Sequence, residues 1–295
     1  MPELAEDLHT YLAIRKSLLE FLEQDLGTGD VTSNNLIEPN LLASAEIVCK
    51  SEEPAIVAGL KEASMLFEMC DCRVQTFVND GTKVNKGRVV MKVMGLAKAI
   101  LKAERSALNL IMRMSGIATE TCKVVELVRK VNHSVIIACT RKTAPGLRYF
   151  DKKAVELGGG WSHRLRLDDM ILIKDNHLVL KPSIKDSARN ASKKTLGRLL
   201  VECEVKNLAE MYSAISADID VVMLDNFSLE QAEVAMRAIR KKAQRKKIKT
   251  EISGGIDLKN ILSYARLNPD IISIGYITHS VKAIDFSLKV TSRQC

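Results

Sequence analysis

From about residue 134 onward, short apolar β-type runs alternate with amphipathic helical runs, and this alternation restricts the fold of the 295-residue chain more than any other feature. The strand-like runs are VIIACT (135–140), MILIK (170–174), LLVECEV (199–205), VVMLD (221–225), KTEIS (249–253) and IISIG (271–275). Helical patterns at 182–194, 207–216, 228–243 and 258–267 separate them, as in a parallel sheet with helical crossovers. The runs are apolar along their length, so both faces of each strand must be covered, in a closed barrel or an open doubly wound sheet. A polar or small residue marks each strand end: Thr140 and Arg141, then Lys174, Glu204, Asp225, Ser253 and Gly275. Ring closure gathers such ends around one axis, whereas an open sheet spreads them along an edge. Six successive ends with complementary charges favour the barrel. A polar residue where one strand leaves the core is, taken singly, as readily a plain exit signal.

The first 130 residues read differently. A helical segment (5–25) leads to the turn GTGD (27–30), followed by the strand-like runs AEIVCK, AIVAG, RVQTFV and VVMKVMG with turn signals at Asp80-Gly81 and Lys86-Gly87. This pattern predicts a small antiparallel sheet with helices. Residues 97–131 form a long helical stretch, interrupted near Ser115-Gly116, that links the two parts. The run Ile284–Val290 returns to the N-terminal domain. The expected division is a first domain of residues 1–118, joined by 280–295, and a second of 119–279.

Charge narrows the partner class. With 44 Lys+Arg against 36 Asp+Glu the net charge is +8, which suits an anionic ligand, nucleic acid included. An aromatic content of 4% leaves few rings for stacking on single strands, so nucleic acid is not expected as the partner. The basic tract KKAQRKKIK (241–249) reads as a solvated helix end and loop. No window approaches the ~18 apolar residues of a membrane span, and MPELAEDLHT lacks the form of a secretion signal. Seven Cys without a Cys-x-x-Cys pair fit buried thiols in a reducing cytoplasm better than a zinc or disulfide framework.

The chemistry concentrates between Thr140 and His177, where eight Lys or Arg and two His fall at strand ends and around glycines. Arg141, His163, Arg164 and Lys174 supply donors suited to carboxylates and phosphates. Glu204 and Asp225, on neighbouring strands, offer oxygens of the kind that hold Mg²⁺ partly through substrate phosphates. Alternation within VECEV turns Glu202 and Glu204 to the same side; Glu204 lies nearer the C-terminal end and is the favoured candidate. A buried salt bridge to a lysine is the competing reading for each acid. Ser253-Gly254-Gly255 and Gly275 place small residues where barrels bind phosphate through backbone N–H groups. His133 and Trp161 read as structural.

The strings ERSALNLIMRMSGIAT (104–119), TRKTAPGLR (140–148), GGGWSHRLRL (158–167), IKDNH (173–177), VECEV (201–205), MLDN (223–226), SGGI (253–256) and ISIGYITHS (272–280) resemble the quinolinate phosphoribosyltransferase family, in that family's order and over nearly the whole chain. The resemblance implies an N-terminal α/β open sandwich and a C-terminal TIM-like α/β barrel. It implies transfer of the phosphoribosyl group of phosphoribosyl pyrophosphate to quinolinate, with Mg²⁺, releasing diphosphate and carbon dioxide and giving nicotinate mononucleotide for NAD synthesis. It also implies a homodimer in which one subunit's sandwich domain covers the other's barrel mouth, a hexamer being a further assembly open to it. By the same resemblance Arg105 reaches the partner's site and clamps quinolinate carboxylates with Arg141, His163, Arg164 and Lys174, and Thr140 is a further substrate-binding residue. Lys142 and Lys174 neutralise the leaving diphosphate, Glu204 and Asp225 hold the metal or the ribose, and Ser253, Gly254, Gly255, Gly275 and His279 take the 5′-phosphate.

The chain departs from the family pattern at Gln24 before Asp25, at Trp161 and Ser162 before the His-Arg pair, and at Arg166, where Gly is frequent. Arg166 is expected to face solvent and alter the loop. Two rivals remain in view: a phosphoribosyltransferase of the same scaffold acting on another acid such as nicotinate, and a nucleic-acid binder, whose affinity would depend strongly on salt. The full cationic set favours the two carboxylates of quinolinate.

Overall fold

The computed structural model describes residues 8–243 and 248–294; the expectation for the basic tract falls partly outside them. By contacts the chain divides into two units: Met1–Cys122 with Thr143–Gly159 and Ser280–Cys295, and Lys123–Lys142 with Gly160–His279.

The first unit begins with helix α1 (Leu8–Leu26), which buries Ile14, Leu18 and Leu22, a stripe at i, i+4, i+8. Asp30 caps α2 (Val31–Leu36), accepting the Ser33 N–H at 2.9 Å. There follow β1 (Leu42–Cys49), β2 (Ala55–Ile56), α3 (Leu60–Glu68), β3 (Arg73–Thr76), β4 (Lys83–Val84) and β5 (Val89–Leu96). Ala43, Ala45, Ile47 and Cys49 point inward along β1 with the period of two that a half-covered sheet requires. Helix α4 (Ala97–Arg129) then runs unbroken through Ser115-Gly116, against expectation. Those residues serve packing: the Ser115 hydroxyl accepts the Ala58 N–H at 3.0 Å, and a Cβ at Gly116 would collide with the Lys282 carbonyl oxygen.

The second unit holds a six-stranded parallel sheet: β6 (Ile136–Cys139), β7 (Ile171–Ile173), β8 (Val201–Val205), β9 (Val221–Asp225), β10 (Lys249–Ser253) and β11 (Ile271–Ile274). Strands β7 to β11 pair in sequence order, and β11 then pairs with β6, so the first and last strands are neighbours. A doubly wound sheet reverses its order in the middle; cyclic order is that of a barrel. On the other edge of β6, Trp161 adds a parallel bridge to Ala138, with its N–H on the Ile137 carbonyl at 2.7 Å. All five residues of β8 and all four of β11 are buried, as strands covered on both faces require. The crossovers carry α6 (Asp175–Leu180), α7 (Ile184–Thr195), α8 (Leu208–Ala214), α9 (Leu229–Ala243) and α10 (Ile261–Ala265), and α11 (Tyr276–His279) follows β11. Ser183 and Asn207 cap α7 and α8 through the N–H groups of Asp186 and Glu210.

Between β6 and β7 the chain leaves the barrel, so the segment 143–159 with helix α5 (Arg148–Leu157) belongs to the first unit rather than running on within the second domain. Within that unit Arg113 donates two hydrogen bonds, 2.7 and 2.8 Å, to the fully buried Asp151, and the Phe150 ring meets Phe21 at 5.7 Å. The C-terminal strand β12 (Phe286–Gln294) pairs antiparallel with β1, giving the order β12-β1-β5-β3 and realising the expected return. No helix among the described residues is long and apolar enough to cross a membrane.

Candidate active site

The C-terminal ends of the barrel strands surround a cavity of about 580 Å³. Thirteen of the fourteen residues expected from the sequence line it: Thr140, Arg141 and Lys142 beyond β6; His163 and Arg164 after the Trp161 bridge; Lys174 beyond β7; Glu204 on β8; Asp225 closing β9; Ser253, Gly254 and Gly255 at β10; Gly275 and His279 at β11. The fourteenth, Arg105, lies on an exposed position of α4 in the first unit, next to Glu104.

The cavity wall is chemically graded around the ring of strands. Arg141, Arg164 and Lys174 gather on the β6–β7 side. Burial, then the neighbouring Arg141 charge, holds the Arg164 guanidinium below its ordinary value. Arg141 Nε is itself buried with no hydrogen-bond partner among the described residues. Two crowded cations, one of them with an unpartnered buried nitrogen, call for an anion with several acceptors. Lys174 reaches forward to Glu204, Nζ to Oε2 2.9 Å, and joins β7 to the acidic side formed by Glu204 and Asp225.

The glycine side is built on close approach. Asn226, in the left-handed region at φ 56°, donates its side-chain amide to Asp225 at 2.9 Å, and its backbone N–H to the Ser253 carbonyl at 2.9 Å. A Cβ on Gly254 would lie 2.6 Å from the Asn226 nitrogen, so only glycine lets the two loops meet. Thr278 Oγ1 donates to the Lys142 carbonyl at 2.9 Å, tying the end of β6 to α11.

Beneath these groups lies a cluster that the strand-end pattern does not reveal. Nε2 of His163 stands 3.3 Å from Oε2 of Glu202 and 3.3 Å from Oε2 of Glu251, and both acids are fully buried. Glu202 enters the sequence reading only as the lesser alternative to Glu204, and Glu251 does not enter it. Their signal is an acid in the middle of a strand buried on both faces, where an unpaired charge is costly. The second ring nitrogen, Nδ1, accepts the Arg164 N–H at 2.8 Å. The expected donation from His163 to a substrate carboxylate is therefore not available here: both nitrogens are engaged inside the protein.

Burial pushes the His163 ring down in pKa, but the hydrogen bonds and charges of Glu202 and Glu251 outweigh it and lift it to about 9. Burial, then the Glu251 charge, lifts Glu202 as well. Both shifts say that the cluster retains one more proton than its separate members would. The Arg164 amide decides where: a proton on Nδ1 would face that N–H, so the extra proton belongs to the carboxyl pair. Arg166, by contrast, is exposed beside Asp168 in a loop whose Leu165 and Arg166 N–H groups bond Asp169.

Family models for the N-terminal and C-terminal domains of quinolinate phosphoribosyl transferase match residues 30–115 and 117–289. A probable nicotinate-nucleotide pyrophosphorylase [carboxylating] of Methanocaldococcus jannaschii is 41% identical over 281 residues, covering 95% of this chain and 98% of the relative. The nicotinate-nucleotide pyrophosphorylase [carboxylating] of Homo sapiens is 35% identical over 83% of this chain and 82% of its own. The solved nicotinate-nucleotide pyrophosphorylase of Francisella tularensis superposes with a TM-score of 0.88 at 34% identity, over 99% of this chain and all of that one. Two domain models in tandem, relatives matched nearly end to end and a shared barrel with its ring of polar strand ends place this chain in the quinolinate phosphoribosyltransferase family.

Proposed function

We propose that the chain transfers the phosphoribosyl group of phosphoribosyl pyrophosphate to quinolinate, releasing diphosphate and carbon dioxide and forming nicotinate mononucleotide in NAD synthesis. One observation carries this reading: a single cavity holds crowded arginines on one side, a lysine–glutamate pair beside them and a glycine-lined loop pair on the third side. Two carboxylates, a diphosphate and a 5′-phosphate match those sides in turn.

Arg141 and Arg164 clamp the quinolinate carboxylates, with Thr140 beside them, and set the pyridine nitrogen toward the anomeric carbon. As the N–C bond forms, the C–O bond to diphosphate breaks, and Lys142 and Lys174 neutralise the charge that collects on the departing oxygen. Glu204 and Asp225 face the cationic ribosyl centre. The Ser253–Gly255 turn, Gly275 and His279 hold the 5′-phosphate. The ring nitrogen, now quaternary, accepts the electron density released when the adjacent carboxylate leaves as carbon dioxide; the resulting ring carbanion takes a proton from water. Glu204 and Asp225 are hard oxygen donors on adjacent strands and fit Mg²⁺ shared with substrate phosphates. When bound, the ion would supply charge neutralisation at the diphosphate.

Arg105 serves the site of a second copy of this chain, so the working unit is a homodimer with shared active sites. Its exposed place on α4, in the first unit, supports that role. Five of the six cysteines among the described residues are buried, which supports a cytoplasmic setting.

The test supplies purified protein, Mg²⁺ and phosphoribosyl pyrophosphate with quinolinate or nicotinate, following nucleotide and carbon dioxide. Nicotinate mononucleotide with matching carbon dioxide from quinolinate alone is expected. Turnover of nicotinate alone, or of neither acid, would overturn the reading.

A further inference from the structure

His163 is one of five described non-glycine residues with positive φ, at 53°. A non-glycine residue in that region is sparsely populated and persists where its surroundings over-determine it. Here the surroundings do so from three directions. Glu202 and Glu251, from β8 and β10, fix Nε2 at 3.3 Å each. The Trp161 ring packs against the imidazole at a centroid distance of 4.8 Å. The next residue's own N–H closes the set on Nδ1 at 2.8 Å. That next residue is Arg164, whose side chain lines the cavity.

We propose that His163 and Glu251 are positioning residues that act through the backbone of Arg164: the buried acids hold the ring, the ring holds the Arg164 amide, and the guanidinium is thereby presented to the carboxylate it binds. The proposal rests on the reading of Arg164 as a quinolinate clamp.

Spacing alone would also suit a metal ion, since one ligand atom from each of His163, Glu202 and Glu251 falls within 4.8 Å of the others. The ring tautomer argues otherwise. A nitrogen that accepts an N–H carries no proton, so the ring proton resides on Nε2, and a metal at this spot would need that atom's lone pair. Donation from Nε2–H to Oε2 of Glu251, with Oε2 of Glu202 also 3.3 Å away, satisfies the same geometry without an ion. Neither oxygen of Glu202 has a hydrogen-bond partner among the described residues, and Oε1 of Glu251 has none. The ring is thus the partner on which Glu251 spends its bonding oxygen, and Glu202 faces the same ring atom, as in a brace.

Two measurements test the brace, one independent of substrate. Nitrogen-15 spectra of labelled histidine, assigned with His163→Asn, should show His163 as the Nε2–H tautomer at neutral pH. An imidazolium, an Nδ1–H tautomer, or a stoichiometric metal lost in Glu251→Gln would overturn the proposal, whatever the enzyme's substrate. Kinetics give the second readout: displacement of a clamp by an ångström costs up to about 100-fold, so Glu251→Ala should raise the quinolinate KM by about 10-fold or more. Its KM for phosphoribosyl pyrophosphate and its kcat should stay within about 3-fold of the parent, since binding of one substrate is lost equally in the ground and transition states. Glu251→Gln, which still accepts from Nε2–H, should recover most of the loss. An unchanged quinolinate KM in a folded Glu251→Ala protein, or equal damage to both substrates, would defeat the brace while leaving turnover of quinolinate by the parent enzyme, and so the proposed function, intact.

Discussion

Lys174 Nζ lies 2.9 Å from Glu204 Oε2 and connects the ends of two neighbouring barrel strands at the cavity. The two side chains are unequally placed, Lys174 being 42% exposed and Glu204 9%. The ion pair is therefore a presentation device more than a support: an exposed lysine adds little stability, but it keeps a point charge beside a nearly buried acid.

Removing that lysine separates chemistry from folding. Lys174→Ala should lower kcat with quinolinate by roughly 100-fold or more, the scale of losing one preorganised charge at a developing anion. Its melting temperature should stay close to the parent's. Lys174→Arg should recover little, because a planar fork does not replace a compact ammonium between a carboxylate and a phosphate. Steady-state kinetics beside thermal melts decide the matter; a large drop in melting temperature would make the pair structural.

The buried cluster predicts a pH dependence of stability. His163 and Glu202 are both raised and share one extra proton, held on the carboxyl pair, so the folded protein binds that proton more tightly than the unfolded chain. Stability from such groups is present at mildly acidic pH and falls as pH rises toward about 9. Glu251 faces the same cluster and acts on both groups. Removing one acid weakens the pull on the proton, so Glu251→Gln should flatten the slope of melting temperature between about pH 6.5 and 9. Parallel slopes in parent and variant would contradict the shared-proton account.

How much of this is legible in the sequence depends on which interactions are local. Strand ends are legible: apolar runs terminate at Arg141, Lys174, Glu204 and Asp225, and closing the ring brings them to one cavity. The central acids are less so. Glu251 sits inside KTEIS like any polar interruption, and its meaning depends on a histidine 88 positions earlier that only the fold brings near. Ser115-Gly116 misleads in the opposite way. Local propensity reads the pair as a break, yet the Lys282 carbonyl and the Ala58 N–H use its small size and hydroxyl inside a continuous helix. The excursion of 143–159 is likewise invisible, because the Arg113–Asp151 pair that holds α5 within the first unit joins residues 38 apart.

Gly254 offers a test confined to the phosphate side. Its φ is 88°, and a Cβ added there would come within 2.6 Å of the Asn226 nitrogen, so Gly254→Ala must shift the β10 loop. The KM for phosphoribosyl pyrophosphate should rise by about 10-fold, the cost of a misplaced anion site, while the KM for quinolinate changes little. The reverse order would move the 5′-phosphate away from this turn.

Shared sites make a prediction that neither single variant can. Arg105→Ala and Lys174→Ala should each abolish most activity, the first through the site of the partner, the second through its own. If two subunits exchange at random in an equimolar mixture, about half of the dimers are hybrids, and in each hybrid one site carries both defects while the other carries neither. The mixture should therefore regain about a quarter of the parent activity, since half of the sites in half of the dimers are intact. Exchange can be verified separately with differently tagged subunits and native mass spectrometry. Proven exchange without recovery would show that Arg105 acts elsewhere, and that each barrel completes its anion clamp from its own chain.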